Sequence, residues 1–196
     1  MALLERLGCE VADLGVLPDS RAHVANSLKA AAAGHDLIVT SGGVSTGEED
    51  HVRAGIESAG RLVLWRMAIK PGRPVAMGVI DGTALIGLPG NPVASFVTYA
   101  HVVRPAVLSL AGALQTRTMA MPVRAAFAHD KKPGRREFLR ASLRRAADGA
   151  MEAAKFERQG AGMLSALVET DGLVELAEDV TRVAPGDSVG FLAYSE

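Results

Sequence analysis

Near Thr116 the sequence changes its pattern, and that change restricts the available folds more than any other feature. Before it, strand-like and helix-like stretches alternate. Leu3, Leu4 and Leu7 recur at helical spacing up to Gly8, Cys9 to Leu17 is β-rich, and Pro18-Asp19-Ser20 forms a turn and N-cap for a helix from Ala22 to Ala33 closed by Gly34. Leu37-Ile38-Val39-Thr40 reads as a buried strand, Asp50 as the cap of a helix from His51 to Ser58, and Leu62 to Ile69 as a strand. Val75 to Ile80 and Thr83 to Leu88 flank Asp81-Gly82, a two-residue hairpin signal. Asn91 and Pro92 open a long helix whose stripe is Val93, Phe96, Val97, Ala100, Val103 and Val107, ended by Gly112. Such alternation predicts a mostly parallel sheet with helices on both faces. After Thr116, short alternating segments dominate (Met121 to Ala128, Glu137 to Arg144, Met151 to Phe156, Leu173 to Leu176, Ser188 to Ala193), separated by turns such as Pro133-Gly134 and Asp171-Gly172. They predict a small antiparallel β-barrel. The chain is therefore expected to be an α/β domain over 1–115 followed by a barrel over 116–196.

Composition narrows the partners. In 196 residues, 48% are hydrophobic, enough to build a core, and a net charge of −1 argues against a long cationic face for nucleic acid. Cys9 is the sole cysteine, so no intrachain disulfide forms and a reducing, cytoplasmic setting is the simpler expectation. Neither a signal peptide nor a membrane span is expected, because charges interrupt the apolar runs. Charge is uneven after Thr116: Arg117 to Arg145 carries nine Lys and Arg against Asp130 and Glu137. Two readings stand, cross-strand charge pairing on a solvated barrel or an anion-binding face.

Three loops could carry chemistry. Ser41-Gly42-Gly43-Val44-Ser45-Thr46-Gly47 follows a strand and can bring backbone N–H groups and hydroxyls to phosphate oxygens, since glycines leave no Cβ in the way. It lacks the Gly-Lys-Ser/Thr ending of a P-loop. Glu48, Glu49 and Asp50 follow and could hold Mg²⁺ beside a phosphate, or serve as an N-cap and solvated acids at a helix start. Lys70-Pro71-Gly72-Arg73-Pro74, preceded by Arg66, sets cations on a stiff backbone. Gly87-Leu88-Pro89-Gly90-Asn91-Pro92 runs into a helix N-terminus, which favours an anion.

These motifs, in this order and spacing, resemble the signatures of MoeA-type proteins, relatives of the plant and animal molybdenum insertases. The resemblance extends to Pro133-Gly134-Arg135, Phe138, Arg140 and the Gln159-Gly160 step, and so spans essentially the whole chain. The first loop alone is shared with the smaller MogA-type adenylyltransferases. The resemblance implies a three-layer, MogA-like molybdopterin-binding domain lacking its first strand, followed by the C-terminal barrel.

It also implies a reaction: Mg²⁺-dependent hydrolysis of adenylylated molybdopterin (molybdopterin-AMP) with insertion of molybdate at the dithiolene, releasing AMP. By position, Asp19, Asp50 and Lys70 match catalytic residues, and Asp50 with Glu48 the metal ligands. Ser41, Gly42, Gly43, Ser45, Gly47, Pro89, Gly90, Asn91 and Ser95 match the pterin and nucleotide site. Lys70 and Arg73 match cations of an oxyanion pocket into which Arg140 reaches, and Arg66 stands where relatives often carry Lys. Ala94 occupies the place of a serine, which here falls one position later at Ser95, about 100° round the helix. Ala161 likewise replaces a serine. Relatives begin with further domains, dimerise, and complete the cleft with a partner's N-terminal region, so a homodimer is expected of the full-length form, a MogA-type adenylyltransferase is the expected partner, and this chain alone is expected to bind pterin weakly and turn over little. Two other readings are a non-catalytic binding or scaffold module of the same fold and a MogA-type adenylyltransferase.

Overall fold

The computed structural model describes residues 1–44, 51–160 and 162–194. Ser45, Gly47, Glu48, Asp50 and Ala161, singled out above, lie outside the described residues. The chain forms two compact units: Met1–Met67 with Gly72–Arg117, and Ala68–Pro71 with the residues from Thr118 onward. The segment Ala68–Pro71 thus belongs to the second unit although residues of the first flank it on both sides.

The first unit holds strands β1 (Leu37–Ser41), β2 (Arg61–Arg66), β4 (Pro74–Ile80) and β5 (Thr83–Leu88) in the order β1-β5-β4-β2. Only β1 and β5 are parallel; β4 runs antiparallel to β5, and β2 to β4. The expected mostly parallel sheet is corrected here, and the cause is local. Asp81 (φ 48°) and Gly82 (φ 89°) form the tight turn the sequence announced, and strands joined by two residues can only pair antiparallel. The expected strand over Leu62 to Ile69 is also divided: β2 ends at Arg66, and β3 (Ile69–Lys70) pairs in the second unit.

Helices cover both faces. On one side α2 (Arg21–Ala32) and α3 (His51–Ala59) bury Val24, Leu28 and Ile56 against Ile38, Ala76, Ile80 and Leu85. Gly55 lets them cross closely, since a Cβ there would lie 2.5 Å from a methyl of Val24. On the other side α1 (Ala2–Glu5) and a continuous helix of α4 (Pro92–Thr98), a π-helical turn at Tyr99–Val103 and α5 (Arg104–Leu110) cover Val75, Ile86 and Leu88. Strand alternation explains the division, because adjacent residues such as Leu85 and Ile86 face opposite layers. Pro92–Leu110 is long and apolar enough to cross a membrane by length and composition, but it presents Val102, Val103 and Val107 to the sheet as a core helix does. The β-rich run Cys9 to Leu17 forms no strand: Gly15 (φ 68°) donates back to the Asp13 carboxylate, and Val16 is 99% exposed. β-propensity is a preference for packing beside another strand, and among the described residues none lies beside this segment.

The second unit closes five strands into a barrel: β8 (Arg136–Arg145), β10 (Gly172–Leu176), β12 (Ser188–Ala193), β6 (Met121–Ala125) and β9 (Met151–Lys155), with β9 returning to β8. It is mixed rather than wholly antiparallel, since β6–β9 and β3–β8 pair in parallel. Short β7 (His129–Asp130) and β11 (Arg182–Val183) pair beside it, and α6 (Ser165–Val168) precedes β10. Inward residues Val123, Leu139, Ala141, Ala153, Val174, Leu176 and Phe191 fill the interior. The basic run resolves toward charge pairing. Arg124 binds Asp148 and Glu152, Arg136 binds Glu175 and Glu178, and the Lys131 ammonium donates to the carbonyls of Ala177, Glu178 and Val180.

Candidate functional site

The register of the first sheet gathers the three loops. Ser41 pairs with Leu88, Ala76 with Gly87, and Arg66 with Pro74, so the ends of β1, β5 and β2 and the start of β4 lie at one end of the sheet. Three inter-strand spacings of ~4.8 Å make this end about 14 Å wide. From it emerge the glycine loop after Ser41, the helix-opening loop at Pro89, and the turn bearing Arg66 and Arg73, closed by a hydrogen bond from the Met67 N–H to the Arg73 carbonyl at 2.9 Å. At the other end Thr83 ties the C-terminus of α2 down by donating to the Ala32 carbonyl at 3.0 Å. The N-terminal end of α2, with Asp19 and Ser20, therefore points toward the loops. Ser20 takes the N-cap position without a side-chain hydrogen bond.

Backbone meets backbone where two of these loops come together. Gly42 (φ 85°) and Gly43 (φ 66°) are left-handed, and a Cβ on Gly43 would sit 2.2 Å from a Val52 methyl. The Gly42 N–H donates to the Leu88 carbonyl at 3.1 Å, and Gly90 brings its backbone against Gly42, its missing Cβ falling 3.5 Å from the Gly42 Cα. Asn91 then caps the helix, its Oδ1 accepting from the Ala94 N–H at 3.2 Å, with Pro92 following. The site is a backbone cradle at the positive end of a helix, with two arginines at the same sheet end. The Ser95 hydroxyl donates to the Pro89 carbonyl, so its one proton braces the loop instead of pointing outward. Ala94, standing in the serine's place, is buried.

Lys70 and Arg140 belong to the second unit. Lys70 pairs with Glu137 in the β3–β8 register, and its Nζ meets Glu137 Oε1 at 3.2 Å. The other carboxylate oxygen meets His129 Nε2 at 3.0 Å. Burial pushes the Glu137 carboxyl up, but the hydrogen bonds and charges of His129 and Lys70 outweigh it and hold the acid below its ordinary range. Arg140 is 1% exposed, and burial pulls its guanidinium below its ordinary value. Its Nη2 donates to the Arg158 carbonyl at 3.0 Å, and its Nε has no hydrogen-bond partner among the described residues. Glu137 stands opposite inward-facing Leu176, whereas Arg140 lies three residues on, about 10 Å along the strand and on the outer face, so the register separates Arg140 from the partner of Lys70.

Residues 1–109 match the family described as "Probable molybdopterin binding domain", and residues 122–194 match the "MoeA C-terminal region (domain IV)". The chain belongs to the MoeA-type molybdopterin molybdenumtransferase family. It is 38% identical over 188 residues to the molybdopterin molybdenumtransferase of Haemophilus influenzae, an alignment covering 95% of this chain and 46% of that protein. It superimposes with a TM-score of 0.78, at 25% identity, on the molybdopterin biosynthesis MoeA protein of Pyrococcus horikosii, over 100% of this chain and 46% of that one. A molybdenum cofactor biosynthesis protein from Pyrococcus furiosus gives 0.75 at 25% identity, over 98% of this chain and 62% of that one. This MoeA-type chain thus spans about half the length of the Haemophilus relative. Glu137 and His129 escaped the sequence reading, because eight residues and a turn separate them and only the closed barrel sets them side by side.

Proposed function

We propose that this chain supplies the pterin-binding and barrel portions of an enzyme that inserts molybdate into adenylylated molybdopterin and releases AMP. The observation that supports this reading best is the Ser41–Leu88 register, which sets two glycine-bearing loops against each other at a helix N-terminus, beside Arg66 and Arg73. Backbone N–H groups and the helix dipole stabilise the phosphate of the nucleotide, and the arginines balance its charge. Lys70, its side chain 54% exposed, is the cation offered to the oxyanion, whereas Arg140 is buried with its guanidinium bonded to the Arg158 carbonyl.

Mg²⁺ belongs to this reading through Asp50 and Glu48, which would hold it and which lie outside the described residues. Among the described residues no group of three potential metal ligands forms. The cation would neutralise charge on the phosphate. We propose further that the chain alone binds the pterin weakly and turns over little, that its full-length form is a cytoplasmic homodimer, and that its substrate comes from a MogA-type adenylyltransferase.

Calorimetric titration of the chain with adenylylated molybdopterin and Mg²⁺, beside the Asp50→Ala variant, tests the reading. Binding that weakens at least tenfold in the variant supports it; equal or absent binding in both removes it.

A further inference from the structure

The buried carboxylate of Glu137 joins Lys70 to His129. Its side chain is 4% exposed near the start of β8 and both oxygens are engaged, one by Lys70 Nζ at 3.2 Å and one by His129 Nε2 at 3.0 Å. A carboxylate held below its ordinary range only accepts, so the imidazole nitrogen donates to it. Lys70, by contrast, is half exposed, and its ammonium has three donors, of which one is spent on Glu137. An ammonium clamped from behind by a fixed acid is a positioned anion ligand, and also a partly neutralised one.

We infer that Glu137 is a positioning residue that fixes Lys70 and at the same time limits its hold on a tetrahedral oxyanion dianion. The inference rests on reading Lys70 as an oxyanion ligand. Two opposed effects follow from the acid. Holding the four-carbon stem in one place spares the incoming anion the cost of ordering it, a gain bounded by the lysine's rotamer freedom. Against this, the carboxylate repels a dianion with twice the force it would exert on a monoanion, across a few ångströms of partly buried and weakly screened space. The second effect is the larger, so the net action of Glu137 on resting affinity is to loosen it. A transferase gains from that arrangement, since an oxyanion held too tightly in the ground state is not handed on.

Titration of the 196-residue chain with sodium molybdate at fixed ionic strength reads the sign. Glu137→Gln, which keeps the shape and one of the two accepting oxygens but loses the charge, is expected to bind molybdate about tenfold more tightly than the unaltered chain. Glu137→Met, of similar volume and uncharged, shifts the constant the same way, and Glu137→Asp, which keeps the charge, leaves it within about threefold. A gain of affinity is a readout that structural damage does not produce. Unchanged or weaker binding in both uncharged variants overturns the inference, as does loss of the fold in both, which would make the charge purely structural. Lys70→Ala reports separately on the parent reading: it abolishes molybdate binding if Lys70 is the ligand. Binding untouched by Lys70→Ala, or absent from every variant including Glu137→Gln, removes that reading itself.

Discussion

The side-chain amide of Gln159 hydrogen-bonds both backbone groups of Arg140: its oxygen accepts from the Arg140 N–H at 3.1 Å and its nitrogen donates to the Arg140 carbonyl at 3.0 Å. The same nitrogen donates to the Phe156 carbonyl at 2.7 Å. A side chain here does what a neighbouring strand's peptide would do, and it locks the loop after β9 along the edge of β8. Gln159→Ala removes these bonds and leaves the Arg140 N–H buried without a partner, at a cost of about 2 kcal/mol. Gln159→Glu, nearly identical in shape, fails comparably because an oxygen then faces two carbonyls. Urea denaturation of the three proteins checks both; a Gln159→Glu variant as stable as the parent would show the donor bonds to be dispensable.

The helix-opening loop makes its own prediction. Asn91→Ala deletes the cap that receives the Ala94 N–H and should lower stability by about 1 kcal/mol, whereas Asn91→Asp retains it. Because the same helix start lines the loops after Ser41 and Leu88, the nucleotide is expected to bind more weakly to Asn91→Ala at a temperature where both proteins are folded. Thermal melting and calorimetry together separate the two effects.

Barrel closure depends on one missing methyl. A Cβ on Gly172 would lie 2.2 Å from the Leu192 carbonyl oxygen and 2.5 Å from the Phe191 ring, and the first of these is backbone within the β10–β12 ladder. Gly172→Ala should therefore cost about 3 kcal/mol, more than a typical substitution. Native-state hydrogen exchange should show the loss concentrated in the amides of β10 and β12.

At the surface, Arg124 forks onto Asp148 at 2.6 and 2.9 Å and, with the Ala150 N–H, holds its carboxyl at about 2. A folded value below the ordinary one means that the pair's contribution is in place above the ordinary carboxylate range and is lost as pH falls toward about 2. Carbon-13 titration of the Asp148 carboxyl should give that low midpoint, and Arg124→Ala should raise it part of the way toward the free value of about 3.9, the Ala150 N–H holding the remainder. A midpoint unmoved by Arg124→Ala would assign the shift to the turn backbone instead.

Local signals did much of the work of reading this chain. The Asp81-Gly82 hairpin, the Asn91-Pro92 helix start and the barrel strands stand where residue chemistry sets them, because turns and caps are decided by a few neighbouring φ angles and hydrogen bonds. Glycines 42, 43 and 90 were equally legible as a close approach of backbone to something. That Gly42 and Gly90 approach one another was not.

Partners distant in sequence needed the tertiary structure. The segment Cys9 to Leu17 has the composition of a strand and is none, since pairing and not propensity makes a strand. The pairing of β2 with β4, the transfer of Ala68–Pro71 to the second unit, and the meeting of Lys70, Glu137 and His129 were settled by contacts that no local turn or cap announces. The sequence by itself determined which groups could bind an anion, because that is a property of side chains and short backbone turns. Only the assembled sheet and the closed barrel decided which of those groups stand together and which acid pairs with them, because burial and charge pairing exist only once the chain has returned upon itself.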